Sequence, residues 1–329
     1  MHTILVSGGA GYIGSHTVRT LVEQGYNPVV LDSLVTGHRQ SVSLDVPFYQ
    51  GDIADSLLVR KIVEREHVSA VIHFAARSLV GESVKKPDLY FEENTAKTNR
   101  FVSTLIESGV KRLIFSSTAA TYGIPDAVPI PESAPTNPIN PYGLSKLMIE
   151  QSLAWLEKAY GLQWIALRYF NAAGAALDGS LGEDHIPETH LIPLILKTAL
   201  GQREAINLFG TDYSTPDGTC LRDYIHVLDL AMAHILALQG LEKGVGSGVY
   251  NVGTGSGFSV KEVIETARTV TGRLIPVIES PRRPGDPDKL VAKVDKIQTL
   301  LGWTPNNSSL ERILESAWAW HLSHPNGYS

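Results

Sequence analysis

Val6-Ser7-Gly8-Gly9-Ala10-Gly11-Tyr12-Ile13-Gly14 is the stretch whose reading decides the fold. It follows an apolar run, 3–7, that suits a buried strand, and it opens a stretch, 15–24, with helical periodicity. Two glycine patterns overlap here: Gly9, Gly11 and Gly14 fit G-x-G-x-x-G, while Gly8, Gly11 and Gly14 fit G-x-x-G-x-x-G. Glycines permit the tight turn and let the backbone approach a pyrophosphate, to which the helix start offers free N–H groups and a positive dipole end. The bland alternative is a turn that only connects two elements; strand before and helix after favour binding. Asp32 lies 18 residues beyond Gly14, at the end of the next apolar run. A carboxylate there can accept hydrogen bonds from adenosine ribose hydroxyls and repels a 2′-phosphate, so NAD is expected rather than NADP. Asp32-Ser33 would equally suit a turn that ends a strand.

Outward from this turn, apolar β-branched runs alternate with helical patterns. Strands are predicted at 3–7, 29–32, 48–51, 70–74, 113–116 and 164–169, with helices at 15–24, 57–66 and 98–107 between them. Continuous apolar strands separated by helices predict a parallel sheet covered on both faces, and right-handed crossovers make it doubly wound and Rossmann-like. Past Ala173 the pattern loosens. A loop is expected to His185, a helix at 190–200, a polar turn region at 210–218, a strand at 224–227 with a helix at 228–238, and a short apolar run at 249–252 after the glycine-rich 244–248. Arg282-Arg283-Pro284-Gly285-Asp286-Pro287 reads as a rigid charged loop. With no clean linker and no repeat, a smaller second lobe is expected to interleave with the first.

Composition narrows the function. The chain has 329 residues, 43% hydrophobic, with 28 Lys+Arg against 34 Asp+Glu and a net charge of −6. That length is ample for a buried core, and a mildly acidic chain without a basic block lacks the footprint of a nucleic-acid binder. Cys220 is the only cysteine. It excludes an intrachain disulfide and a four-cysteine zinc site, and no metal is expected. No apolar run approaches the roughly 18 residues of a membrane span, and the chain enters its first strand at once, without a secretion signal. A cytoplasmic location follows as the expectation.

Pro138-Ile139-Asn140-Pro141-Tyr142-Gly143-Leu144-Ser145-Lys146 carries the chemistry. Asn140 can cap a helix and Pro141 can occupy its first position, with Gly161 as the stop. Tyr142 and Lys146 are then i,i+4 and share a face. A free phenol titrates near pH ~10. A nearby ammonium, together with the positive nicotinamide ring of bound NAD, favours phenolate, so the pair can move a proton while the cofactor moves a hydride. This spacing alone is common surface decoration. Leu113-Ile114-Phe115-Ser116-Ser117-Thr118 raises its meaning, because its polar end falls at the carboxyl edge of the sheet, where open α/β sheets bind ligands. Thr118 could orient a reacting alcohol, or merely cap the strand.

The 8–14 turn, the Ser116-Ser117-Thr118 strand end and the Tyr142/Lys146 pair together resemble the extended short-chain dehydrogenase/reductase family. Further segments are similar to its members that epimerise UDP-hexoses at C4, over essentially the whole chain. They are Gly11-Tyr12-Ile13-Gly14-Ser15-His16, Gly81-Glu82-Ser83, Arg168-Tyr169-Phe170-Asn171, Arg222-Asp223-Tyr224-Ile225-His226-Val227, Tyr250-Asn251-Val252-Gly253, Trp320-His321 and His324-Pro325. The resemblance implies a dinucleotide domain at 1–175 plus roughly 222–250, and a UDP-sugar lobe at 176–221 and 251–329.

It also implies roles. Tyr142 would be the acid/base, Lys146 would lower its pKa and bind the nicotinamide ribose, and Thr118 would take the family's Ser/Thr position. NAD contacts would come from Gly8, Gly11, Tyr12, Ile13, Gly14, Asp32, Ser33, Asp52, Ile53, Phe74, Ala75, Ala76, Ser78, Asn94, Ser116 and Phe170. The UDP-sugar would meet Asn171, His190, Leu191, Asn207, Phe209, Arg222, Arg283, Asp286 and Leu290. A guanidinium fork suits diphosphate, although Arg222-Asp223 could equally be a local ion pair. Three positions depart from the family. Ser78 stands where many members carry Lys, with Arg77 a neighbouring substitute; His190 replaces an Asn; and Leu290 replaces the Tyr of members restricted to UDP-glucose and UDP-galactose, leaving room for a 2-acetamido group. The activity implied is reversible, redox-neutral C4 inversion of UDP-galactose and UDP-glucose with NAD kept bound, in a homodimer. Ala119-Ala120 after Thr118 lacks the ionisable pair of dehydratases and the Glu of decarboxylases. A non-catalytic NAD-binding sensor is a rival against which both Tyr142 and Lys146 stand, and a simple dehydrogenase releasing NADH is the remaining option.

Overall fold

The first strand and helix flank the glycine turn as expected: β1 (Thr3–Ser7) runs into Gly8 and α1 (Tyr12–Glu23) leaves it, starting three residues earlier than periodicity alone places it. The computed structural model describes residues 2–283 and 285–328, so Pro284 of the predicted charged loop lies outside the described residues. β2 (Asn27–Asp32), β3 (Phe48–Gln50), α2 (Ser56–Glu66) and β4 (Val68–His73) follow. Two short helices, α3 (Val80–Lys85) and α4 (Pro87–Tyr90), pass through a π-turn at Phe91–Ala96 into α5 (Lys97–Glu107). β5 (Arg112–Thr118), α6 (Pro141–Tyr160) and β6 (Gln163–Tyr169) complete the regular half. Beyond it come β7 (Asn171–Ala173), α7 (Leu191–Ala199), β8 (Ile206–Phe209), β9 (Leu221–Arg222), β10 (Tyr224–His226), α8 (Val227–Glu242) and β11 (Gly248–Val252). The chain finishes with β12 (Phe258–Ser259), α9 (Val260–Thr271), β13 (Val277–Ser280), β14 (Lys289–Leu290), α10 (Asp295–Leu301) and α11 (Leu310–Ser323).

Seven strands form one parallel sheet in the order β3-β2-β1-β4-β5-β6-β11. Side chains alternate across it. Ile4 and Val6 join Leu21 of α1 and Leu230, Ile235 and Leu238 of α8 on one face. Leu5 joins Val59 of α2, Phe101 of α5 and Ile149 and Leu153 of α6 on the other. Both faces are therefore dry, which is why the strands read as unbroken apolar runs. Strand order reverses beside β1, and the crevice opens at the carboxyl ends of β1 and β4, where doubly wound sheets hold ligands.

Three small sheets lie outside this one: β10 with β7, β13 with β8, and β9 between β12 and β14. A third apolar core joins Ile192, Ile195 and Leu196 of α7 to Val263 and Ile264 of α9 and Ile313 and Leu314 of α11. His190 precedes α7 instead of belonging to it, and Val227 opens α8 instead of closing the strand before it. Helices α9, α10 and α11 are additions to the predicted element list.

Candidate active site

The glycine turn is built for close approach. Gly8 has φ +75, and a Cβ on it would stand 2.5 Å from Ala75 N; one on Gly14 would stand 2.1 Å from Gly8 O. Gly11 caps α1 with no side-chain hydrogen bond, and the first turn carries no acidic residue. The helix start is thus bare backbone with its positive dipole end uncovered, the local chemistry that receives a phosphate. The Tyr12 hydroxyl donates to Gly174 O at 2.6 Å, pinning this turn to the chain just past β7.

Asp32 ends β2, buried, and accepts from Ala10 N (2.9 Å) and Leu34 N (2.8 Å). Burial pushes its carboxyl pKa up while those two N–H groups hold it back. Its bond to Leu34 N is the strand-exit turn that the sequence offered, and its bond to Ala10 N steadies the glycine turn as well. Beside it, Asp52 accepts from Lys97 Nζ at 2.6 Å; burial opposes ionisation but Lys97 leaves its carboxyl below the ordinary range. Ile53 is buried next to it.

At the end of β4, Phe74 N and Ala75 N both donate to Ser7 O, so 74–76 crosses directly over the glycine turn. Asn94, 2% exposed, takes Arg77 N on its Oδ1 (2.8 Å) and donates to Arg77 O and to Ser145 Oγ (3.1 Å). It clamps this segment to α6. The Arg77 guanidinium faces Glu82 at 3.6 Å, so the substitute for the missing lysine is engaged with a carboxylate, and Ser78 is exposed.

α6 begins as predicted, with Asn140 Oδ1 accepting from Gly143 N at 2.8 Å, Pro141 at the first turn and Gly161 left-handed at φ 69. Tyr142 and Lys146 lie buried against the end of β5. Lys146 Nζ donates to Ser116 O at 2.9 Å and sits 4.8 Å over the Phe115 ring; the Ser116 hydroxyl donates to Tyr169 OH. Burial lowers the Lys146 pKa to about 7, with Glu150 opposing. Burial also pushes the Tyr142 phenol well above its usual value, with Tyr169 adding to the rise and hydrogen bonding to Thr118 countering it. The amine one turn on therefore does not acidify the phenol in the protein alone; low dielectric wins for both groups.

Sequence reasoning passed over Glu150. It continues the Tyr142–Lys146 face by another four residues and is 4% exposed. Its carboxylate takes Ser117 Oγ (2.5 Å) and Arg168 Nε (3.0 Å), with Arg168 Nη2 on its other oxygen. This bidentate pair bolts α6 to β5 and β6. The i,i+4,i+8 series Tyr-Lys-Glu was the available signal.

The substrate candidates lie on the elements beyond β6. Asn171 starts β7, hydrogen-bonded to Asp223 O at 3.1 Å. His190 and Leu191 stand at the start of α7, Asn207 and Phe209 on β8. Arg283 lies 4.0 Å over the Phe209 ring, and Arg222 pairs with Asp286. Arg222-Asp223 is not a local ion pair: Asp223 is buried and takes Thr254 N, Gly255 N and Ala292 N instead. Leu290 and Phe170 pack against a small core of Ala119, Tyr122 and Ile130 that begins directly after Thr118.

Comparison with known proteins identifies the family. The profile of the NAD dependent epimerase/dehydratase family matches residues 4–253. A UDP-glucose 4-epimerase of Halalkalibacterium halodurans is 57% identical over 326 residues, 99% of this chain and 97% of the relative. The crystal structure of UDP-glucose 4-epimerase from Brucella ovis in complex with NAD superposes with TM-score 0.95 at 46% identity, covering 97% of this chain and 98% of that one. The UDP-Glc/GlcNAc 4-epimerase from Campylobacter jejuni superposes with TM-score 0.87 at 43% identity, covering 98% and 100%.

Proposed function

The chain belongs to the NAD dependent epimerase/dehydratase family, and on that premise we propose how its residues divide the work. The reaction is the reversible NAD-dependent inversion at C4 of a UDP-hexose, UDP-galactose to UDP-glucose, through a 4-keto intermediate. NAD, when bound, would supply the redox chemistry, reversible hydride exchange with C4, together with a positively charged oxidised ring. The glycine cradle and the bare start of α1 fit its pyrophosphate, with Gly8, Gly11, Tyr12, Ile13 and Gly14 the contacts, and the buried Asp32 with Ser33 fits its ribose. Asp52, Ile53, Phe74, Ala75, Ala76, Ser78, Asn94, Ser116 and Phe170 line the remaining length.

Tyr142 takes the C4 hydroxyl proton and gives it back to the same oxygen once the sugar has turned. Its phenol, held neutral by burial in the protein alone, becomes a base when cationic charge enters the cleft. Lys146 contributes that charge once its ammonium is paired, and Thr118 orients the sugar hydroxyl. Arg222 and Arg283 hold the diphosphate, with Asp286, Asn171, His190, Leu191, Asn207, Phe209 and Leu290 around the nucleoside and sugar. Anchoring through UDP leaves the hexose free to present either face, so remote binding energy positions C4 without locking it. Leu290 in place of a larger side chain supports acceptance of the N-acetylhexosamine pair as well. Residues 1–175 with roughly 222–250 form the NAD unit, and 176–221 with 251–329 the sugar lobe. A cytoplasmic homodimer is the expected form; no helix among the described residues is long and apolar enough to cross a membrane.

One observation carries this reading: Tyr142, Lys146 and Thr118 converge in a buried corner whose next residues, Ala119 and Ala120, hold no second acid or base. Such a site can exchange one proton at C4 and lacks, after Thr118, the ionisable pair that would act at C5 and C6. Incubation with UDP-galactose therefore yields UDP-glucose with no net NADH, and Tyr142→Phe abolishes turnover while NAD stays bound. Steady NADH release, or full activity of that variant, contradicts the mechanism.

A further inference from the structure

Glu183, His185, Glu188 and His190 form a cluster outside the proton-handling corner, on the loop that enters α7. One donor atom from each lies within 4.8 Å of all the others. His190 Nδ1 is 2.8 Å from Glu183 Oε1 and 3.1 Å from Glu188 Oε1; His185 Nδ1 is 3.2 Å from Glu183 Oε1 and 3.8 Å from Glu188 Oε2. Donors on a tetrahedral ion with bonds of about 2.1 Å stand about 3.4 Å apart. The four nitrogen–oxygen pairings, 2.8 to 3.8 Å with Glu188 entering through both its oxygens, bracket that spacing.

A second observation points the same way. The Glu188 side chain is 4% exposed, yet its Oε2 has no hydrogen-bond partner. Two carboxylates buried together demand nearby positive charge and full use of their oxygens. Two imidazolium rings could supply the charge, but leave that oxygen unused. We propose that Glu183, His185, Glu188 and His190 bind one divalent first-row transition ion, Zn²⁺ foremost, as a two-nitrogen, two-oxygen tetrahedral site. Imidazole with carboxylate and no thiolate suits Zn²⁺ among such ions.

All four ligands come from a single eight-residue stretch, so the ion acts as a staple on that loop. The loop's far end is Leu191, first residue of α7, and the His185 ring stands edge-on to Tyr12 of α1 at 6.3 Å. The staple fixes how the sugar lobe meets the dinucleotide helix, and takes no part in proton transfer.

The full-length NAD-bound protein, stripped with a chelator and titrated with Co²⁺, should take up one equivalent with the visible absorption of a four-coordinate ion, displaced by Zn²⁺. Glu188→Gln and His185→Asn should each weaken Co²⁺ binding by at least about tenfold, with circular dichroism and bound NAD unchanged. Parent protein that takes up no stoichiometric Co²⁺ or Zn²⁺, or variants that bind as tightly as the parent, overturn the site. Should a variant misfold, anomalous diffraction from Zn²⁺-soaked wild-type crystals decides: a peak among the four side chains supports the site, and a peak elsewhere or none overturns it.

Discussion

Lys146 shows how burial and chemistry compete at a single residue. Its pKa falls from 10.5 to about 7 on folding because the ammonium loses water. Between those values the unfolded chain binds more protons than the folded one, so stability rises with pH through this window, and below about 7 the whole cost of burying the charge is present. Lys146→Met is therefore expected to raise the denaturation midpoint of the NAD-free chain most at pH 6 and least near pH 10; calorimetry at both ends checks it, and a pH-independent gain would contradict the burial account. Leu290 makes the matching case for specificity. It packs against the small core of Ala119, Tyr122 and Ile130 that follows Thr118, so Leu290→Tyr adds bulk beside the strand end. Turnover of the N-acetylhexosamine pair should drop on the order of 10–200-fold, with UDP-galactose changed far less, as a UDP-sugar panel would read. Tyr142, Lys146 and Thr118 were legible because spacing and strand end are local patterns. Glu150 was not: a glutamate four residues after a lysine reads as a solvated pair, and only the partner on β6 turns it inward.

Among the elements, α6 depends on that inward turn. The Glu150–Arg168 pair with Ser117 joins one helix to two strands. Removing one member leaves the other charge buried alone, so Glu150→Gln should cost about 3–5 kcal/mol in urea denaturation and displace the phenol enough to lower kcat. Glu150→Leu with Arg168→Met should recover most of the stability but not the activity, because packing returns while the anchorage does not. The strand and helix alternation of the first half was readable, since a strand buried on both faces announces itself as an apolar run. The segment from α3 through the π-turn was not, because pieces this short complete no period. α9 did carry a signal, the capping box of Ser259 and Glu262 ahead of Val263, Ile264 and Ala267, masked by the glycine-rich stretch before it.

At the scale of the molecule, the dinucleotide sheet is not finished when its regular sequence pattern ends. β11 supplies the strand beyond β6, and α8 covers one face with Leu230, Ile235 and Leu238. A fragment ending at residue 175 should therefore lack a native core, elute expanded in gel filtration and fail to retain NAD; native-like NAD binding by that fragment would show the late elements dispensable. Their place was hard to read beforehand, because which strand lies next to β6 is a matter of topology rather than of any local run. The thread that leaves the sheet, visits the sugar side and comes back to close its edge also bears on ancestry. Because β8 pairs with β13, and β9 with β12 and β14, across that return, replacing these small sheets as a unit takes two separated stretches of gene, whereas point substitution in place takes one.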